Sequence, residues 1–135
     1  MNAKVTVLVC VVVLGLTVAR TISPAAESDQ GRTYFLKYCG ACHGVEGKGD
    51  GPVSRSLKVK PADLTQLQKR NNGVFPLEKV TASIEGKSRI SAHGESQMPV
   101  WGEIFEKQAS GQKDPAGASA AKVRVIVDYL STIQR

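Results

Sequence analysis

Hydrophobic positions fall into four patterned stretches along this chain of 135 residues. The first is an unbroken apolar run from Val5 to Val18, interrupted only by Thr6, Gly15 and Thr17 and preceded by Lys4. A membrane span needs about 20 such residues, so a run of about 15 behind one positive charge reads as the core of an export signal. Small residues at suitable offsets put processing after Ala19 or after Ala25, so that residues 1–25 form a signal peptide and 26–135 a single domain. An uncleaved membrane anchor is the alternative. Cys10 lies inside the run and reads as an apolar filler residue.

The second stretch opens at Ser28 and Asp29, a helix start, and predicts a helix to about Cys39 that spreads Tyr34, Phe35, Leu36 and Tyr38 around its faces. Gly31 inside it costs helix propensity, so it serves either close approach of a neighbour or no purpose at all. A third set of signals predicts two short helices. One is capped by Asp63 and runs to about Arg70, stopped by Asn71-Asn72-Gly73. The other begins at Pro76, shows Leu77, Val80 and Ile84 on one face, and ends at Gly86. The strongest pattern is the last. From Ala118 to Ile133, Val123, Ile126, Val127, Leu130 and Ile133 recur at helical spacing with Lys122, Arg124 and Asp128 turned outward, so this helix should pack on the first. Gly111 to Gly117 reads as a flexible surface loop.

Between the second and third stretches lies Cys39-Gly40-Ala41-Cys42-His43, a C-x-x-C-H run. This is the attachment signature of a c-type haem: two thiols add across the porphyrin vinyl groups and the imidazole reaches the iron. Cys39 and Cys42 anchor, and His43 ligates. A zinc site would need two more ligands, and the only other cysteine is Cys10. A thioredoxin-like dithiol would follow a strand, whereas Tyr34 to Tyr38 looks helical. The glycine-rich run Gly44 to Pro52 lacks the Gly-Lys-Ser/Thr of a phosphate loop, and suits close backbone approach to the edge of a flat macrocycle. For the opposite side of the iron a soft thioether raises the potential, which points to Met98; His93, five residues earlier, is the competitor.

Charge adds a surface to this picture. Lys4 and Arg20 are the basic residues of the leader, so 16 of the 18 Lys and Arg remain in residues 26–135 against 12 Asp and Glu, a net of +4. Residues 48–89 hold nine basic and four acidic side chains. An exported protein rarely meets nucleic acid, so the excess suggests steering toward an acidic protein partner.

These pieces together resemble the class I, single-domain cytochrome c family over residues 28 to 134. The matching motifs are Cys39 to His43, Gly49-Asp50-Gly51-Pro52, Pro61-Ala62-Asp63-Leu64-Thr65, His93-Gly94, Met98-Pro99-Val100-Trp101-Gly102 and Tyr129-Leu130. Residues 69–91 are less family-like. The resemblance implies an all-α fold, three to five helices wrapped around one covalently attached haem c, with the N- and C-terminal helices crossing at Gly31, Phe35 and Tyr129. It also implies Met98 as distal ligand, Pro52 as the carbonyl that holds the imidazole of His43, and Trp101 as a hydrogen-bond donor toward a haem propionate. The function implied is a periplasmic or otherwise extracytoplasmic electron carrier that docks redox partner proteins. It is not an enzyme, since a six-coordinate iron leaves no substrate site. Alternatives are a haem-bearing relay subunit of a respiratory or sulfur-oxidising complex, and a haem-based ligand sensor.

Overall fold

The computed structural model describes residues 24–87 and 97–135. The export signal expected at the N-terminus, apart from its last two residues, and the competing ligand His93 lie outside the described residues. Among the described residues five α-helices follow in order: α1 (Pro24–Tyr38), α2 (Gly40–His43), α3 (Leu77–Glu85), α4 (Trp101–Gln108) and α5 (Pro115–Thr132). Short 3-10 turns occupy Ser54–Ser56, Leu64–Gln66 and Lys69–Asn71, and no strand occurs among the described residues. The all-α expectation therefore holds. No helix among the described residues is long and apolar enough to cross a membrane.

The hub is α5, which packs against α1, α3 and α4. Its buried face is Val123, Ile126, Val127, Tyr129 and Leu130. β-Branched residues are mediocre helix formers, at a cost below about 0.7 kcal/mol each, whereas full burial of one such side chain contributes about 1.5–3 kcal/mol. Packing decides. Asp114 accepts the Gly117 amide at 2.9 Å and Pro115 follows it, so the helix starts inside the stretch that reads as a loop from sequence.

Helices α1 and α5 cross where the sequence predicts. A Cβ on Gly31 would stand 2.5 Å from the Val125 carbonyl oxygen and 2.6 Å from Tyr129 Cβ, so only glycine allows this approach. Four residues on, the rings of Phe35 and Tyr129 meet at 5.5 Å between centroids. Phe35, Phe105, Val123, Ile126 and Val127 form the sealed centre of the core.

Besides the starts of α1, at Pro24 rather than at Ser28 and Asp29, and of α5, three expectations about faces and elements change. In α3, Val80 and Ile84 are buried but Leu77, in the first turn, is 45% exposed. Gly86 ends α3 as predicted, at φ 81°, with the Lys87 amide reaching back to the Ala82 carbonyl at 2.8 Å. Lys122 is not simply outward: its ammonium lies 4.7 Å from the Phe105 ring centroid and 5.6 Å from those of Tyr34 and Tyr38, an arrangement open to a long aliphatic stem.

The third change is the helix expected from Asp63 to Arg70. Asp63 does cap, accepting from the Thr65 amide at 2.9 Å, and Asn72 at φ 56° ends the segment as foreseen. Between them, however, the chain forms two 3-10 turns. In an α-helix the Gln68 amide would donate to the Leu64 carbonyl. Here the Gln134 side chain stands between them: its Nε2 donates to the Leu64 oxygen at 2.8 Å and its Oε1 accepts the Gln68 amide at 2.9 Å. The Thr65 carbonyl is taken likewise by the Arg135 amide at 2.9 Å. The end of the chain wedges the helix open.

Candidate haem-attachment site

Helix α1 runs almost directly into the C-x-x-C-H turn, and the backbone bonds of that turn set its geometry. The Cys39 amide donates to Phe35 at 2.8 Å, and the His43 amide donates to the Cys39 carbonyl at 2.9 Å. Cys39, Cys42 and His43 thus stand at i, i+3 and i+4 of one helical turn, which brings both thiols and the imidazole to one side of α2. This is the arrangement that attachment and ligation by one short segment demand.

Each group is in a defined chemical state. Cys39 is buried and Cys42 half-buried, both as free thiols. Burial, and secondarily the neighbouring Cys42, pushes the Cys39 thiol up to about 12. A redox dithiol would follow a strand, whereas Cys39 follows α1 and caps a helical turn, and no group of three or more His, Cys, Asp or Glu that could hold a zinc ion occurs among the described residues. Burial likewise holds His43 below its ordinary value of 6.5, partly offset by its hydrogen bond to the Ala62 carbonyl. His43 Nδ1 lies 3.0 Å from that oxygen. A carbonyl only accepts, so the proton sits on Nδ1 and the lone pair on Nε2 faces away, free for a metal.

The acceptor is a correction: the carbonyl that holds His43 belongs to Ala62, not Pro52. The loop after His43 turns back on α2, with Gly49 donating to His43 at 2.8 Å, Gly51 to Cys42 at 3.1 Å and Val53 to Ala41 at 3.0 Å. That course leaves Pro52 exposed beside the end of α2. Segment 61–64 then crosses over, tied by the Leu64 amide to the Gly47 carbonyl at 2.7 Å, and delivers Ala62 to the imidazole. Gly49 has φ 76°, and a Cβ there would collide with the Pro61 carbonyl oxygen. The loop's glycines therefore serve contact with the protein's own backbone as well as the macrocycle approach expected of them.

Met98 and Trp101 both pack, half-buried, against the core cluster that contains Cys39. Trp101 opens α4, with its ring 5.5 Å from Tyr38 and 5.6 Å from Phe105 between centroids. Leu64, Leu67 and Phe75 are likewise half-buried against the core. Segment 97–98 is joined to the basic stretch by the Val59 amide, which donates to Gln97 Oε1 at 3.3 Å. The structure thus gathers Cys39, Cys42 and His43 in one turn and places Met98 and Trp101 on the same core, while Pro52 stands apart.

Two participants escape the sequence reading. Ala62 carries no side-chain signal, and Gln134 acts across 66 to 70 residues of chain. Helix α4 was legible, since Trp101, Ile104, Phe105 and Gln108 follow helical spacing, but the reading there stops at Gly102.

The donor set fits covalent haem: two thiols for the vinyl groups, an imidazole nitrogen with its tautomer fixed, and a thioether on the same core. Comparison with known proteins agrees. Residues 28–134 match the protein-family model for cytochrome c. No curated protein and no solved structure matches the chain. The family consists of haem-based electron carriers that hold haem c and its iron covalently. With the match spanning far more than half of its length, and the attachment turn folded as that chemistry requires, the chain belongs to the cytochrome c family.

Proposed function

We propose that the protein is a monohaem electron carrier working in an extracytoplasmic electron-transfer chain and exported by its N-terminal segment. The observation that carries this reading is the His43 imidazole, held through Nδ1 by Ala62 on the same helical turn as two free thiols. Bound haem supplies an Fe(III)/Fe(II) couple that accepts and releases one electron. The chain's own residues do the rest. Cys39 and Cys42 would form the thioethers, His43 would offer Nε2 to the iron, and Met98 would offer its sulfur to the same metal. Trp101, anchored by Tyr38 and Phe105, would donate a hydrogen bond toward a propionate. Holding the group through both His43 and Met98 would favour carrier over enzyme. Partner docking falls to the exposed cations Arg55, Lys58, Lys60, Lys69 and Arg70, which suit an acidic protein surface.

The test begins with the exported protein. After denaturation it should stay red and carry the mass of one haem; colour lost to acid-acetone would refute covalent attachment. Met98→Ala should then abolish the weak far-red band of thioether-ligated ferric haem and lower the potential, because the soft ligand favours Fe(II). Survival of that band in Met98→Ala, with its loss in His93→Ala, would transfer the ligand role to His93.

A further inference from the structure

Ala62 offers its carbonyl to His43 from a segment with little regular structure of its own, so whatever holds that segment also holds the imidazole. Apart from bonds to residues just downstream, such as the Arg70 guanidinium on the Asp63 carbonyl, four ties to the rest of the protein are visible. One is local, from the Leu64 amide to Gly47. The other three come from the last two residues of the chain. Gln134 Nε2 donates to Leu64 and, at 2.7 Å, to Leu130 of α5; its Oε1 accepts from Gln68; and the Arg135 amide donates to Thr65. Both protons of the Gln134 amide and one of its oxygen's lone pairs are used. The group thus bridges the end of α5 to the turn that begins two residues after Ala62.

We propose that Gln134 is a positioning residue for the axial histidine: its amide, wedged between Leu64 and Gln68, fixes segment 62–68 and with it the carbonyl that orients His43. The inference rests on the proposed function, in which His43 ligates the iron. A hydrogen bond at the far nitrogen of an axial imidazole increases the electron density it donates, which favours the oxidised metal. Loosening the wedge weakens that bond, makes the imidazole a poorer donor and moves the potential upward. The C-terminal end of the last helix thereby tunes a group near the C-terminal end of the first.

Gln134→Met separates the wedge from its packing, since it keeps the length and apolar stem but has no amide. In the haem-loaded protein, solvent exchange of the His43 Nδ1 proton, followed by magnetic resonance, should quicken about tenfold or more, and the reduction potential should shift positive. Asp114→Ala provides the comparison. It removes the cap at the other end of α5 and should lower stability while leaving both readouts unmoved. If Gln134→Met changes stability alone, as Asp114→Ala does, the positioning role is refuted and the function proposed above stands. A second measurement needs no variant. In the wild-type protein the Gln68 amide and the His43 Nδ1 proton should exchange through one opening, with equal dependence on denaturant, and unequal slopes would overturn the proposal. A wild-type protein whose Nδ1 proton lacks the paramagnetic shift of an axial ligand would overturn the ligation reading, and the role of Gln134 with it.

Discussion

At the scale of single residues, the site depends on which small groups hold polar ones. Asp63 illustrates this beside Ala62. Its carboxylate accepts from both the Thr65 amide and hydroxyl, at 2.9 and 2.7 Å, and its own carbonyl accepts from the Arg70 guanidinium. The Thr65 hydroxyl above all, helped by the Thr65 amide and the Arg70 and Lys48 charges, holds the Asp63 carboxyl below its ordinary 3.8 against an opposing desolvation penalty that ranks second to the hydroxyl. The folded pKa lies below the unfolded one, so the contribution is complete above pH 3.8 and is lost as pH falls through the folded value. Asp63→Asn keeps an acceptor without a titrating charge. Its denaturation midpoint should therefore fall less steeply than that of the wild type on acidification below pH 3.8. Parallel acid profiles would show that another carboxylate governs the transition.

Among the elements, the crossing of α1 and α5 orients the attachment turn, because α2 follows α1 after the single residue Cys39. Gly31 permits that crossing by presenting no side chain to Val125 and Tyr129. Gly31→Leu should overpack it and cost roughly 1 to 3 kcal/mol, read as a lower denaturant midpoint with an unchanged slope. A midpoint equal to the wild type would mean that the helices separate there without penalty. Gly40→Ala is the informative contrast: a Cβ at Gly40 meets its nearest neighbours at 3.9 Å, an ordinary contact, so this change should be mild.

For the molecule as a whole, the distribution of charge matters more than its total of +6. Arg55, Lys58, Lys60, Lys69 and Arg70 are all exposed, and Lys58 and Lys60 flank Val59, whose amide donates to the side chain of Gln97, the neighbour of Met98. Charges at the surface are screened over about 8 Å at physiological ionic strength, so steering to an acidic partner should weaken as salt rises. Reversing Lys58, Lys60 and Lys69 to Glu should slow bimolecular electron transfer while the visible spectrum and potential stay nearly constant. A rate indifferent to both salt and charge reversal would place docking on another face.

Much of this protein was readable without coordinates wherever the chemistry is local. C-x-x-C-H specifies its own geometry, since one helical turn brings Cys39, Cys42 and His43 to the same side. The apolar period of residues 123–130 specifies a buried face, and a glycine inside a helix signals a crossing. Tertiary structure decided the features that need a partner from far along the chain. The helix signal over residues 63–70 gave way because Gln134 and Arg135 claim the hydrogen bonds that would have continued it. The acceptor for His43 passed from the expected Pro52 to Ala62, because a backbone carbonyl is common to every residue and only the path of the chain selects one. Patterns of side chains therefore set the elements and the ligand chemistry, while backbone groups, which no residue type distinguishes, acquired their roles only when the fold brought them together.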